Sequence, residues 1–114
     1  MKAIGIDIGT TSICGVVLDA ENGNVLTSRT VNSDAFISTP NDWENIQDVT
    51  KIVAIASGIL DSFLEEYAEE IAAIGLTGQM HGIVYVDAEG QAVSPLYTWQ
   101  DARGNLPYPS FIRK

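Results

Sequence analysis

Gly5-Ile6-Asp7-Ile8-Gly9-Thr10-Thr11-Ser12 stands almost at the start of the chain, and its reading decides the fold. The isoleucine-rich run Lys2–Ile8 reads as a strand bounded by Gly9. It delivers one carboxylate, Asp7, into a tight glycine turn, and three hydroxyls follow at once. Gly9 has no Cβ, so the turn can come close to a ligand. Thr10, Thr11 and Ser12 offer hydroxyls and backbone N–H groups, a donor-lined concavity suited to phosphate. Asp7 would repel a bare phosphate, so its presence makes sense if Mg²⁺ stands between them, directly or through water. The stretch lacks the Gly-Lys-Ser/Thr ending of a P-loop, and Gly5 and Gly9 have the wrong spacing for the dinucleotide fingerprint. Asp, Gly and Thr are also ordinary turn residues, so the stretch by itself does not separate a phosphate site from a plain hairpin.

Working outward, Ser12–Asp19 carries Ile13, Val16, Val17 and Leu18 and reads as a second strand. Glu21-Asn22-Gly23-Asn24 supplies turn chemistry, and Val25–Val31 returns as a third strand, completing an antiparallel meander. A helix start follows. Either Thr39 caps it with Pro40 at the first helical position, or Asn41 caps it with Glu44 three residues on; the sequence leaves both open. The apolar positions then run Trp43, Ile46, Val49, Ile52, Val53, Ala56, Ile59, Leu60, Phe63, Leu64, Tyr67. Those spacings predict one broad core-facing stripe on a helix of about seven turns, Trp43 included. Gly58 costs that helix roughly 1 kcal/mol relative to Ala, and on this reading marks close packing against the sheet.

Ile71–Leu76, ended by Thr77-Gly78, is the next strand. A strand-helix-strand order implies a crossover and a parallel neighbour. Ile83–Val86 and Ala92–Trp99 flank Asp87-Ala88-Glu89-Gly90 and predict a further hairpin. The stretch Gly104-Asn105-Leu106-Pro107-Tyr108-Pro109 reads as irregular, and no element closes the chain before Lys114.

The chain has 114 residues, 46% hydrophobic and 18% charged, the composition of a packed globule. Six basic residues against fifteen acidic ones give a net charge of −9. That balance argues against nucleic acid, whose binding rests on clustered Lys and Arg, and against an anionic membrane surface. The acidity itself reads as solubility. Cys14 is the only cysteine, so no internal disulfide forms, and it reads as a small buried strand hydrophobe. The apolar run after Lys2 stops at Asp7, too soon for a signal peptide, and no run reaches transmembrane length. A cytoplasmic protein is the expectation.

Two further segments carry chemistry. His81 is the only histidine; a lone histidine is usually structural, but this one follows a strand end between Gly78 and Gly82. Gln79, Met80 and His81 offer an amide, an apolar surface and an imidazole, the mixture a polyol needs for its hydroxyls and C–H faces. Trp99, Asp101 and Arg103 alternate, so on one strand they would share a face. They could wall a pocket, or the Asp–Arg pair could brace a turn.

Together these residues carry a resemblance. Asp7-Ile8-Gly9-Thr10-Thr11 is similar to the first phosphate-binding hairpin of the actin-like and sugar-kinase superfamily. Gly78-Gln79-Met80-His81-Gly82 resembles the sugar-site motif of the FGGY carbohydrate kinases, in the xylulokinase and sedoheptulokinase branches; glycerol kinases carry Arg-Glu where this chain has Met80-His81. Thr98-Trp99-Gln100-Asp101-Ala102-Arg103 resembles the family's Trp-x-Asp-x-Arg segment. The three motifs occur in the family's order, and the resemblance covers essentially the whole chain.

The resemblance implies an α/β fold, the incomplete N-terminal lobe of the ribonuclease H-like, actin-like ATPase superfamily. It would comprise an antiparallel meander, a crossover helix, a parallel strand and a terminal hairpin. It implies an ATP-dependent kinase acting on a ketose. In it Asp7 organises Mg²⁺, Gly9, Thr10, Thr11 and Ser12 hold the polyphosphate, and Gln79, Met80, His81, Trp99, Asp101 and Arg103 bind the sugar. Cys14 stands where many of these kinases carry a basic residue. Family members are several times longer, and their second lobe holds the adenosine pocket, a second phosphate motif and the catalytic aspartate. Residues 1–114 are therefore expected to be the first part of the N-terminal domain, inactive alone and prone to self-association through uncovered edges. A non-sugar actin-like ATPase would keep the first motif without the second, and a catalytically dead sensing or scaffold lobe would keep both.

Overall fold

The computed structural model describes residues 1–107, so Tyr108 and Pro109 of the predicted irregular end lie outside the described residues. The chain divides into two compact units. The first joins Met1–Ala35 to Thr50–Gln79; the second joins Phe36–Val49 to the described residues from Met80 onward.

The first unit is a four-stranded sheet under one helix. Strands β1 (Lys2–Ile8), β2 (Ser12–Asp19) and β3 (Val25–Asn32) form the predicted meander. Helix α1 (Val49–Tyr67) returns the chain to β5 (Ile71–Gly78), which pairs with β1 in parallel. The sheet order is β3-β2-β1-β5. The Asn22-Gly23 turn forms as expected, with Gly23 at φ +77° and its N–H donating to the Asp19 carbonyl at 2.8 Å.

Strand alternation places Ile4 and Ile6 of β1 and Ile13, Gly15 and Val17 of β2 on one face, where they are buried. Helix α1 covers that face with Ile52, Ile59 and Phe63. The fit depends on Gly15. A Cβ there would lie 2.5 Å from Ile59 Cγ2 and 2.8 Å from Cε2 of the fully buried Phe63 ring. Gly58 is not the close-packing glycine: it lies on the exposed side of α1 with open space around it. The helical stripe is also narrower than predicted, since Val53 is 56% exposed. Cys14 lies on the opposite sheet face and is half-buried, accepting a hydrogen bond from the Thr30 hydroxyl at 3.4 Å. β5 is an edge strand among the described residues, and its Leu76 is 73% exposed.

The helix begins later than either predicted start, because tertiary partners claim the backbone before Val49. Asn41 and Glu44 make only an isolated turn, the Glu44 N–H donating to the Asn41 carbonyl at 3.2 Å. The Trp43 and Asn45 carbonyls accept from the N–H groups of Ala102 and Thr98. Ile46–Gln47 becomes β4, which pairs antiparallel with β6 (Leu96–Tyr97) to form a second small sheet.

The second unit is built around that sheet. Its hairpin turn is real: Gly90 takes φ +79° and donates to the Asp87 carbonyl at 3.0 Å. The arms are not the continuous strands expected of Ile83–Val86 and Ala92–Trp99. They meet at the isolated bridges Ile83–Tyr97 and Val86–Ala92, and between these the Val93 N–H donates to the Tyr85 carbonyl at 2.8 Å. After Tyr97 the chain turns at Trp99-Gln100 and forms one 3₁₀ turn, Arg103–Asn105. No helix among the described residues is long and apolar enough to cross a membrane.

The two glycines should therefore respond in opposite directions. Gly15→Ala overpacks the α1 face and is expected to lower stability by about 1–3 kcal/mol. Gly58→Ala is expected to raise it by about 0.5–1 kcal/mol through helix propensity and chain entropy. Urea denaturation of the two variants beside the parent chain reads both signs.

Candidate functional site

The structure presents two candidate surfaces, one on each unit. The first lies at the end of the β1–β2 hairpin. β1 is held on both sides, so its last residues have little freedom: Asp7 is in register with Cys14 of β2 and Thr77 of β5. Asp7 is exposed at this strand end. The turn then closes tightly, the Gly9 N–H donating to the Ser12 carbonyl at 2.9 Å. A Cβ on Gly9 would lie 2.8 Å from that same oxygen, so only glycine fits. Thr10, Thr11 and Ser12 occupy the turn, with Thr11 exposed and its carbonyl accepting from the Ser33 N–H at 2.9 Å.

Gln79 follows β5 and reaches this same turn, its amide Nε2 lying 3.4 Å from the Gly9 carbonyl it donates to. Its contact is thus with the hairpin. Beside Asp7, on the sheet face away from α1, lies an open groove of about 390 Å³. Gly5, Cys14, Val16, Gly75 and Thr77 contribute to its lining.

One exposed carboxylate beside hydroxyls is a hard oxygen donor set. It suits Mg²⁺, which binds through one or two carboxylates plus phosphate oxygens and keeps several waters. The described residues contain no group of three His, Cys, Asp or Glu side chains able to hold a metal ion by themselves. Asp7 and the hydroxyls of Thr10, Thr11 and Ser12 are the groups of this hairpin with the donor chemistry to hold such an ion.

The second surface is a pocket of about 410 Å³ in the second unit. His81, Trp99, Asp101 and Arg103 all line it, together with Tyr85 and Tyr97. His81 holds φ +62°, a left-handed backbone uncommon outside glycine. Trp99 is 57% exposed. Met80, 74% exposed, is not part of this lining. The predicted alternation of Trp99, Asp101 and Arg103 on a strand does not occur; a turn and the 3₁₀ segment bring them together instead.

Arg103 organises this end of the pocket. Its guanidinium forks onto Asp101, Nε to Oδ1 at 2.7 Å and Nη2 to Oδ2 at 3.2 Å. Nη2 also meets Glu44 Oε2 at 3.3 Å. The same group stacks 4.3 Å from the Tyr97 ring centroid and 5.4 Å from that of Trp43. Trp43 is thus half-buried beneath an arginine rather than in a helical core. Asp101 additionally accepts from the Asn45 N–H at 2.8 Å. Hydrogen bonding from Arg103 holds the Asp101 carboxyl down at about 2, against an ordinary 3.8. Hydrogen bonds from Thr39 and Asn41, and then Arg103, hold Glu44 below the usual carboxylate range.

Glu44, Tyr97, Tyr85 and Ile83 stand at this pocket or its rim without having been expected there from the sequence. Tyr97 could have been found, since it immediately precedes Thr98-Trp99. Glu44 carried no signal, because it reads equally well as a capping residue.

A carboxyl lowered on folding stabilises the fold above its unfolded value, and that stabilisation is lost as pH falls through the folded value. Asp101→Asn is therefore expected to be less stable than the parent chain at pH 7, with a constant difference above about pH 5. The difference should shrink between pH 4 and pH 2. Urea midpoints across that range measure it.

Comparison with known proteins places this architecture. The profile described as the FGGY family of carbohydrate kinases, N-terminal domain, matches residues 2–107. Over 97% of its length the chain is 30% identical to a sedoheptulokinase of Mus musculus, covering 28% of that protein. A xylulose kinase of Streptomyces coelicolor is 35% identical over 88% of the chain, which covers 20% of it. The ligand-bound xylulose kinase from Lactobacillus acidophilus superposes with a TM-score of 0.76 at 25% identity, over 88% of this chain and 20% of that one. The chain thus spans between a fifth and little more than a quarter of the length of these relatives. With the meander, crossover helix and parallel strand in place and the match running almost end to end, the chain belongs to the FGGY family of carbohydrate kinases, in its N-terminal domain.

Proposed function

We propose that these 114 residues are the first part of the N-terminal domain of a longer, ATP-dependent kinase that phosphorylates a ketose such as xylulose or sedoheptulose. The observation that carries this reading is the wall of the second-unit pocket, where His81, Trp99, Asp101 and Arg103 meet from two separate stretches of sequence. The names of the relatives, sedoheptulokinase and xylulose kinase, support a ketose. An actin-like ATPase that ignores sugars leaves Gln79-Met80-His81 and that pocket without a use.

In this reading Gly9, Thr10, Thr11 and Ser12 receive the polyphosphate and Asp7 orients the Mg²⁺ that accompanies it. When bound, Mg²⁺ neutralises the phosphate charge that builds during transfer. His81 and Trp99 contact the sugar, with Gln79 and Met80 next to His81 in sequence, and Asp101 and Arg103 shape the wall. The base that takes the proton from the attacking sugar hydroxyl belongs to a second lobe outside these residues. The sugar oxygen then bonds to the γ-phosphorus, the bond to the bridging oxygen breaks, and ADP leaves. The chemistry, the net charge of −9 and the single cysteine fit a cytoplasmic enzyme with no nucleic-acid or membrane partner. The uncharged edge strand β5, with Ile74 and Leu76 exposed, makes the isolated chain self-associate.

Three outcomes follow from this assignment. The purified 114-residue chain should show no ketose-dependent ADP release in a coupled assay; measurable turnover would remove the need for a second lobe. In the complete kinase, Asp7→Ala should abolish turnover while circular dichroism and melting stay unchanged, and near-normal turnover would strip Asp7 of its metal role. Light scattering of the isolated chain should report a dimer or larger species that Leu76→Lys converts to monomer.

A further inference from the structure

The charges at the rim of the second-unit pocket bear on which sugars it accepts. An unaccompanied arginine in a pocket wall is an anion site, because its planar donors match a carboxylate or phosphate. Arg103 is not unaccompanied. Asp101 takes its Nε and shares its Nη2, Glu44 meets the same Nη2, and the rings of Tyr97 and Trp43 lie against the guanidinium. Two carboxylates thus face one cation. The Asp101 side chain is only 4% exposed and that of Glu44 only 19%.

Asp101 and Arg103 are the charged groups in the described lining, with His81, Tyr85 and Tyr97 as its other titratable members. Two carboxylates against one guanidinium leave the cluster one net negative charge, with Glu44 standing behind Arg103, outside the lining itself. An incoming sugar acid meets that charge, and Nε and Nη2 of the nearest cation, itself 39% exposed, already face carboxylates. A neutral polyol meets no such repulsion, and its C–H faces can lie on Trp99 and Tyr97.

We propose that the Glu44–Arg103–Asp101 cluster makes this pocket selective for uncharged ketoses and polyols over sugar acids of the same skeleton, with Glu44 as the specificity-determining residue. The inference rests on reading this pocket as the sugar site. Glu44 acts through Arg103: removing its charge leaves Asp101 and Arg103 balanced. One unit charge across a partly solvated pocket changes an anion's affinity by about five- to tenfold.

The pocket is formed by residues of this chain, so the chain itself is the test object. Xylitol and xylonate differ by a CH₂OH against a carboxylate, and NMR titration reads both at the Trp99 indole and the His81 ring. Xylonate is expected to bind about five- to tenfold more weakly than xylitol at low salt. The gap should narrow as salt screens the repulsion. Glu44→Gln should shrink the xylonate-to-xylitol ratio by about fivefold, a gain of anion binding that loss of a merely structural contact would not produce. Equal affinities in the parent chain, or a ratio that either salt or Glu44→Gln leaves unmoved, overturn the proposal while leaving the sugar site standing. If neither ligand shifts the two signals, the sugar-site reading fails and the selectivity fails with it. Should Glu44→Gln not fold, the salt titration of the parent chain decides alone.

Discussion

The contact of helix α1 with the bare backbone of Gly15 is the constraint on which the first unit depends. The helix can settle on the sheet only because Ile59 and Phe63 occupy the volume a Cβ would take. A seated helix fixes where the chain emerges at its far end, and so fixes β5 beside β1 in parallel. Once β1 is paired on both edges, its final residues are no longer a fraying hairpin end. Asp7 is carried on a strand whose Ile4 and Ile6 are buried beneath the same helix. The position of one exposed carboxylate therefore traces back to the lack of a side chain on the neighbouring strand.

The turn after Asp7 shows the same economy of means. Its geometry comes from backbone bonds and from a glycine that no other residue can replace, with the Gln79 amide arriving from β5. Such a site needs few specialised side chains. That is why a short motif of common residues can identify it, and why the motif alone is ambiguous until the strands on either side are known.

The legibility of the fold follows from this distinction. β1 and β2 fall at the residues the sequence indicates, because isoleucine and valine runs bounded by Gly9 and Asn22-Gly23 state both the pattern and its ends. The parallel β5 was legible from element order alone. The start of α1 was not. Trp43 and Ile46 continue the helical period, yet Asn45 and Trp43 find backbone partners at Thr98 and Ala102, and Ile46 pairs with Tyr97. Periodicity describes a segment by itself and carries no record of distant partners. Gly58 and Gly15 illustrate the same limit: both are glycines in regular elements, and only the packed structure tells which one a neighbour presses against.

The second pocket is built from the distant pairings that periodicity omits. Arg103 and Glu44 are 59 positions apart, and nothing local to either marks the other. Trp99, Asp101 and Arg103 drew notice through a motif and through an expected alternation on one strand, and of these the strand does not form. They are neighbours because Asp101 binds the Asn45 N–H and the Arg103 guanidinium at once, bending the chain into a turn that a strand could not make. The two surfaces thus answer to different physics. Backbone bonds and packing set the hairpin. The pocket rim is set by paired charges, so its shape rises from three side chains far apart in sequence and responds when one of them is altered.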